Sequence, residues 1–447
     1  MVKVITYGTY DLLHYGHIRL LERAKALGDY LIVAVTADDF DKTRGKINVQ
    51  QSLMERVEAV RATGIADEII IEEYEGQKID DIKRHNVDIF TVGSDWVGKF
   101  DYLNEYCKVV YLDRTQGVSS SELRAEKRAI RLGLIGSSRL LIKHLQESKC
   151  VNGLEVTGIF TEDAELRREA KENGAILFET LAEVVACSDA VYVVSHPAEH
   201  YAQVRYALEH GKHVLCESPI ALQQEQYREL FTLAEEKGLI LMEALKTAYA
   251  TAFNRLTLLL KSGKIGQVVS VDAVCTSLSV KNKKDNWNFD IDWNSICAWG
   301  PTAMLPVFEI LGVDYRKKSI VSKIADTAHL FDEFTKVDFV YDNAVASIRV
   351  GKGVKSEGEL VITGTEGYVY VPAPWWKTDY FEIRYEDPAN NRRYFYQLDG
   401  EGIRYELVAF AKAIQNGKQD VTLDRSVSMA IAEVIESYYA KTDFLDI

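Results

Sequence analysis

No run of apolar residues approaches the ~20 needed to cross a bilayer as a helix. The opening residues, MVKVITYGTYD, lack the basic, apolar, small-residue order of a secretory signal. Positive charge is scarce: 53 Lys and Arg against 67 Asp and Glu give a net charge of −14. That disfavours non-specific binding to nucleic acid or to an anionic membrane and leaves room only for local basic pockets. The six cysteines, at 107, 150, 187, 216, 275 and 297, form no CxxC pair. A zinc site or disulfide framework is therefore excluded, and they read as reduced, mostly buried thiols of a cytoplasmic protein. No protein-held metal is expected, and there is no internal repeat or low-complexity tract.

What is present is a long chain of ordinary globular composition, 447 residues with 47% hydrophobic and 27% charged. That length is too great for one core. Residues 1–128 alternate strand and helix: VKVITYG, YLIVAVTA, DEIIIEEY, VDIFTVGS and KVVYLD are β-like, and GHIRLLERAKALG has helical spacing ending on glycine. This is a βαβ pattern and predicts a Rossmann-like α/β domain with a parallel sheet. The join SSSELRAEKRAIR is charged, has no Pro or Gly, and reads as helix. A second βαβ unit runs over 129–248, with strands IRLGLIG, VTGIFTED, AVYVVS and HVLCES, and predicts a dinucleotide-binding type of Rossmann domain. Residues 249–447 carry longer alternating strands, an α+β domain with an open and largely antiparallel sheet, and end in helices that would return to the preceding domain.

The stretch YGTYDLLHYGH carries the first chemical signal. A strand ends at Tyr7-Gly8, and His14 and His17 sit three apart at the start of a helix. Two imidazoles at that spacing can face one point, beside the free N–H groups of a helix N-terminus. Such a site suits a polyphosphate whose charge shifts during reaction. The plainer alternative is two surface histidines at a helix start. DRTQGVSSSELR adds a second anion cradle, with Arg114 before a Gly turn at Gly117 and hydroxyls at Ser119, Ser120 and Ser121. Arg44 and Lys46 lie in a polar loop able to close over phosphates.

With GTYDLLHYGHIRLLERAKALGDYLIVAV, QKIDDIKRHNVDIFTVGSDWVGKFDYL and YCKVVYLDRTQGVSSSELR, the first domain closely resembles the glycerol-3-phosphate cytidylyltransferases of the HxGH nucleotidyltransferase superfamily. The resemblance implies CTP and glycerol 3-phosphate as substrates, CDP-glycerol and pyrophosphate as products, Mg²⁺ with the CTP, and a homodimer or higher homo-oligomer. It implies that His14, His17, Lys46 and Arg114 are catalytic. Gly8, Thr9, Tyr10, Asp11, Arg44, Gly93, Asp95, Trp96, Thr115, Gly117, Ser119, Ser120 and Ser121 would bind substrate. Ser120 and Ser121 stand where threonines are usual. Gly64 replaces a common arginine, with Arg61 one turn earlier, which leaves a different polyol phosphate open as acceptor.

In the second half, GLIGSSRLL places Gly133 and Gly136 at a dinucleotide-type turn, but Ser138 or Arg139 takes the third glycine position. Thr161, Glu162 and Asp163 end the next strand, where acids suit ribose hydroxyls and hence NAD over NADP. With HYAQVRYALEHGKHVLCESPIALQQEQ, the chain from about residue 130 to the C-terminus resembles the Gfo/Idh/MocA oxidoreductases. That resemblance implies NAD(H) contacts at Gly133, Gly136, Ser137, Ser138, Thr161, Ser195, Glu217 and Ser218. The family's Glu-Lys-Pro lysine, however, is Ser218 here, and its helix-borne Asp and His align with Ala298 and Thr302. His200 matches a family position and is read as a capping or packing residue. The reading is a cytidylyltransferase whose rear half keeps a dinucleotide fold without standard hydride transfer. The alternatives are a bifunctional enzyme, with catalysis relocated to Lys246 or Tyr249, and a rear half serving dimerisation or regulation.

Overall fold

The computed structural model describes the chain except residues 38–48, 50, 75, 114–128, 152, 279–292, 378, 397, 399 and 420–421. It divides into two compact units, Met1–Ala129 with Val151–Gly153, and Ile130–Cys150 with Leu154–Ile447. Of the join read as helix, residues 119–128 lie outside the described residues, and Ile130 and Arg131 belong to the strand Ile130–Gly136.

The front unit is a five-stranded parallel sheet of order β3-β2-β1-β4-β5, from β1 (Lys3–Gly8), β2 (Tyr30–Thr36), β3 (Glu68–Glu72), β4 (Ile89–Gly93) and β5 (Lys108–Leu112). Its central strands are apolar on both faces because helices cover both. Ile5, Ile32, Ala34 and Phe90 build a core with Ile82, from the helix Gln77–His85. Val4, Leu31 and Val33, one residue out of phase, build the opposite core with Leu21, Ala24, Val57 and Val60. Those last four come from the helices Tyr15–Lys25 and Leu53–Ala62. The second of these helices opens with a Ser52/Glu55 capping box. The helix Gln77–His85 stops at Asn86, whose φ of 51° is left-handed.

The rear unit begins with a six-stranded parallel sheet of order β11-β10-β9-β6-β7-β8. Its strands are β6 (Ile130–Gly136), β7 (Leu154–Phe160), β8 (Leu177–Phe178), β9 (Ala190–Val194), β10 (His213–Glu217) and β11 (Leu241–Ala244). This is the doubly wound order in which the sheet reverses beside its first strand. A nine-stranded sheet follows, of order β19-β18-β17-β16-β12-β15-β14-β13-β20. It runs from β12 (Val268–Thr276) through β13 (Lys317–Asp326), β14 (Phe331–Val340), β15 (Val345–Gly351), β16 (Leu360–Gly364), β17 (Tyr368–Val371), β18 (Tyr380–Arg384) and β19 (Arg392–Phe395) to β20 (Phe444–Asp446). It is mixed, because β12–β15 and β13–β20 are parallel pairs closed by crossovers and not by hairpins.

The buried helix Ser295–Leu311 packs on this second sheet. The helix Arg425–Ala440 returns to the first sheet's layer, where Ala432 joins its core and Gln224 Nε2 donates to the Met429 carbonyl at 3.2 Å. All six cysteines are free. Cys216, Cys275 and Cys297 are buried, whereas Cys150 and Cys187 are exposed, since they fall at helix ends that face water. Among the described residues no helix is long and apolar enough to cross a membrane.

Candidate functional site

In the front unit the strand order reverses between β1 and β4, and the crevice at their C-terminal ends is where an open α/β sheet holds a ligand. The loop leaving β1 is tightly determined. Tyr10 and Leu12 take left-handed φ values of 53° and 47°, a strained choice that surrounding contacts must hold. The Tyr10 ring is buried directly over Gly8, where any added Cβ would lie 2.9 Å from its Cζ. Asp11 is fully buried and accepts a hydrogen bond from the Gln51 backbone N–H at 3.0 Å, while Leu12 N–H donates to Gln51 Oε1 at 2.8 Å.

His14 is the N-cap of the helix Tyr15–Lys25. Its Nδ1 accepts from the Gly16 N–H at 3.1 Å, so in the neutral ring the proton sits on Nε2 and can be donated. His17 stacks on it with ring centroids 4.0 Å apart and planes 22° apart, and meets the edge of Tyr10 at 5.6 Å. The two imidazoles are therefore brought together at one helix start. At the end of β4, Gly93 leads into a short turn of helix, Ser94–Trp96. Asp95 is exposed there, and Trp96 packs against Phe100 at 5.7 Å with Lys99 Nζ 5.3 Å from its ring. Arg44, Lys46, Arg114, Thr115, Gly117, Ser119, Ser120 and Ser121 lie outside the described residues.

Sequence reasoning missed the groups that hold this loop. Arg56 is fully buried and donates to the carbonyls of Thr9 at 2.6 Å, Thr36 at 2.9 Å and Gln51 at 3.2 Å. It thus ties the ends of β1 and β2 to the segment before its own helix. Lys78 is buried against Glu72, whose other oxygen accepts from Thr36 Oγ1 at 2.9 Å, and its ammonium lies 4.6 Å from the Tyr7 ring. The available signal was a charged residue on the stripe that otherwise carries Val57 and Val60, or Ile82.

The rear unit holds a cleft of about 710 Å³. Ser137, Ser138 and Arg139 line it at the end of β6, Glu217 at the end of β10, and Lys246 just beyond β11. Ala298, Trp299 and Thr302 reach it from the helix Ser295–Leu311. Gly136 has φ +144°, and a Cβ there would lie 2.4 Å from the Val194 carbonyl carbon, so the β6 turn tolerates only glycine. Asp163 lines the cleft but caps the next helix, accepting from Leu166 N–H at 2.8 Å.

Several residues expected to touch a dinucleotide are not among those lining the cleft. Gly133 lies within β6, and Thr161 is buried and accepts from the Asp163 N–H at 3.2 Å. Ser195 donates to Gln203 at 2.6 Å. Ser218 is buried and donates to Glu243 Oε1 at 2.5 Å, an oxygen that also receives the Tyr227 hydroxyl at 2.8 Å. Tyr249 is buried too, its hydroxyl 3.4 Å from the Glu243 carbonyl. His200 sits fully buried between the carbonyls of Pro219 at 2.7 Å and Ser195 at 2.9 Å. Burial pushes it down to about 4, so the neutral ring donates to one of them and clamps the turn after β10.

A cytidylyltransferase-like family model matches residues 5–131, and an oxidoreductase family model with an NAD-binding Rossmann fold, Gfo/Idh/MocA, matches residues 130–245. The glycerol-3-phosphate cytidylyltransferase of Bacillus spizizenii is 47% identical over 130 residues, which are 29% of this chain and 100% of that protein. A scyllo-inositol 2-dehydrogenase (NADP(+)) of Bacillus subtilis, IolU, is 36% identical over 131 residues, 28% of this chain and 40% of that one. Among solved structures, the 3-ketoreductase KijD10 of Actinomadura kijaniata, in complex with NADP and TDP-benzene, aligns with a TM-score of 0.64 at 20% identity. That alignment covers 72% of this chain and 99% of KijD10. The stacked histidines at the sheet's reversal point thus belong to a nucleotidyl-transferring enzyme. More particularly, the chain belongs to the cytidylyltransferase family through its front unit, and it carries a Gfo/Idh/MocA-type oxidoreductase domain behind it.

Proposed function

We propose that the front unit joins CTP to glycerol 3-phosphate, or to a closely related polyol phosphate, giving the CDP-polyol and pyrophosphate. The observation that carries this reading is the His14–His17 stack at the N-terminus of the first helix, in a segment 47% identical to a glycerol-3-phosphate cytidylyltransferase. An oxygen of the acceptor phosphate forms a bond to the α-phosphorus of CTP, and the bond from that phosphorus to the β-bridging oxygen breaks. The acceptor is already an anion, so no strong general base is needed, and positioning with charge neutralisation supplies the rate. His14 Nε2–H and the His17 ring serve the oxygens on which charge grows, Asp11 and the Gly93–Trp96 turn bound the nucleotide pocket, and Arg114 and Lys46 neutralise the triphosphate.

Among the described residues no group of three or more His, Cys, Asp or Glu is placed to hold a metal ion. As the resemblance implies, Mg²⁺ would accompany the triphosphate of CTP, and no step is routed through it. In the rear unit, the glycine-only turn at Gly136 and the Ser137–Ser138 lining fit the diphosphate of a nicotinamide dinucleotide. The family's lysine, aspartate and histidine are replaced by Ser218, Ala298 and Thr302, so hydride transfer through Ser218 is not assigned.

The test is pyrophosphate release from CTP with a panel of polyol phosphates. Turnover with glycerol 3-phosphate or a near relative, and little with ATP in place of CTP, is expected. Equal use of ATP, or full activity in chelator, would overturn the reading.

A further inference from the structure

The floor of the rear cleft carries ionisable side chains that cytidylyl transfer does not use. In the register of the sheet Glu217 pairs with Ala244, and Lys246 stands two residues beyond, so both reach the same edge and both line the cleft. Glu217 accepts the Tyr192 hydroxyl at 2.6 Å. The His144 ring stacks on Tyr192 at 3.8 Å, and its Nε2 lies 3.4 Å from Glu406. At the rim one carboxylate, Glu401, is shared by Lys143 at 3.1 Å, Lys246 at 3.9 Å and Lys377. Among the described residues, five basic side chains line the cleft against four acidic ones, an excess of one cation inside a chain of net charge −14. Trp299 and Trp376, centroids 4.9 Å apart, and Trp293 supply apolar faces.

We infer that Lys246, paired with Glu217, is the polar centre of a site for a small hydroxylated anion, a polyol phosphate or its keto or aldehyde form, and fills the role that Ser218 leaves empty. The excess cation selects the anion, the tryptophan faces suit C–H bonds of a polyol, and Lys246 meets the ligand's carbonyl or hydroxyl oxygen. Burial favours the neutral amine of Lys246, as does Lys377, whereas Glu217, Glu406 and Glu401 favour the ammonium. A group held between those tendencies gives up and regains a proton readily. A nicotinamide dinucleotide bound at the Gly136 turn would supply the hydride to a carbonyl carbon. Lys246 supplies the proton to the oxygen, completing an alcohol, and the Glu217 carboxyl restores the proton.

The inference does not rest on the front-unit reading, and pyrophosphate release measured on the same full-length preparations keeps the two failures distinguishable. The probe is pyridoxal 5′-phosphate, an anionic aldehyde. Its carbonyl condenses with a neutral lysine amine, losing water, and borohydride then reduces the imine to a stable secondary amine located by peptide mass spectrometry. At neutral pH, Lys246 should be labelled at least about tenfold faster than the exposed Lys149 and Lys171. Dihydroxyacetone phosphate should protect it, and Glu217→Gln should alter the rate. Labelling of Lys246 no faster than those surface lysines, or unaffected by both dihydroxyacetone phosphate and Glu217→Gln, would overturn the inference. NAD(P)H-dependent reduction of a keto phosphate that survives Lys246→Met would do the same.

Discussion

Replacing Arg56 by methionine tests how the front site is held. Methionine keeps much of the side-chain length and removes only the guanidinium. The wild-type group is fully buried and satisfies three carbonyls, at Thr9, Thr36 and Gln51. Hydrogen bonds from a charged donor contribute about 1.5–3 kcal/mol each, but these losses are not additive, because some carbonyls find water once the donor is gone. A loss of roughly 3–5 kcal/mol is expected, the range for breaking a buried charged network. For a unit of this size about 3 kcal/mol lowers the melting temperature by roughly 10 °C. The assay is thermal inactivation of CTP-dependent pyrophosphate release, which reports on the front unit alone in a chain that need not unfold in one step. Residual kcat should also fall, since Thr9 begins the loop that carries Tyr10 and Asp11. An inactivation midpoint within ~2 °C of wild type, on the same scale, would refute the argument that Arg56 organises this loop.

Other outcomes follow from single residues. His17→Ala should cut cytidylyl transfer by ~10²–10³ with the fold intact, as expected for losing a donor to developing charge; near-wild-type pyrophosphate release would reject the assignment. Gly136→Ala puts a Cβ 2.4 Å from a backbone carbon, so it should destabilise the rear unit by at least about 2 kcal/mol, read by calorimetry. Ser218→Lys should not raise NAD(P)H oxidation above the wild-type rate, because it buries an ammonium beside Glu243 and leaves Ala298 and Thr302 unchanged. Burial pushes the Glu217 carboxyl up to about 7, with Glu406 adding to it and Tyr192, His144 and Lys246 opposing. Below about 4.5 it is protonated both folded and unfolded; as pH rises through 7 the native state loses stability. Glu217→Gln should therefore raise the rear unit's melting temperature at pH 8 more than at pH 4.5, and an equal change at both would count against it.

The five strands of the front sheet, and β6, β7, β9 and β10 of the rear one, were legible because they are apolar on two faces, which leaves an unbroken run such as YLIVAV. His14 and His17 were legible as a pair because they stand three residues apart at a helix start. Arg56 and Lys78 were not. A basic residue in a helix is a surface feature by default, and only the fold shows that its partners are carbonyls and a carboxylate brought in from other strands. The pairing of β13 with β20 was also invisible, since three residues, FLD, pair with a strand more than a hundred positions earlier. Lys246 and Tyr249 stood equal in the sequence. The structure separates them, one lining the cleft and the other turned back toward the Glu243 carbonyl.

That separation bears on what Ser218 means. If the position had simply decayed, its hydroxyl would face the cleft as a remnant. Instead it donates to Glu243, on the next strand, and shares that carboxylate with Tyr227. Burial raises the Glu243 carboxyl, and Ser218, Ser428 and Tyr227 work against that rise. The edge between β10 and β11 is thus a hydrogen-bonded unit into which a lysine at 218 would bring a second buried charge. On the proposed reading of the cleft, its cation has to come from outside that unit. Lys246, two residues past the end of β11, is the residue there that lines the cleft and interacts with the Glu217 charge. A serine at 218 and a lysine at 246 are, on this account, two parts of one arrangement of the sheet edge, the first completing the core and the second supplying the charge.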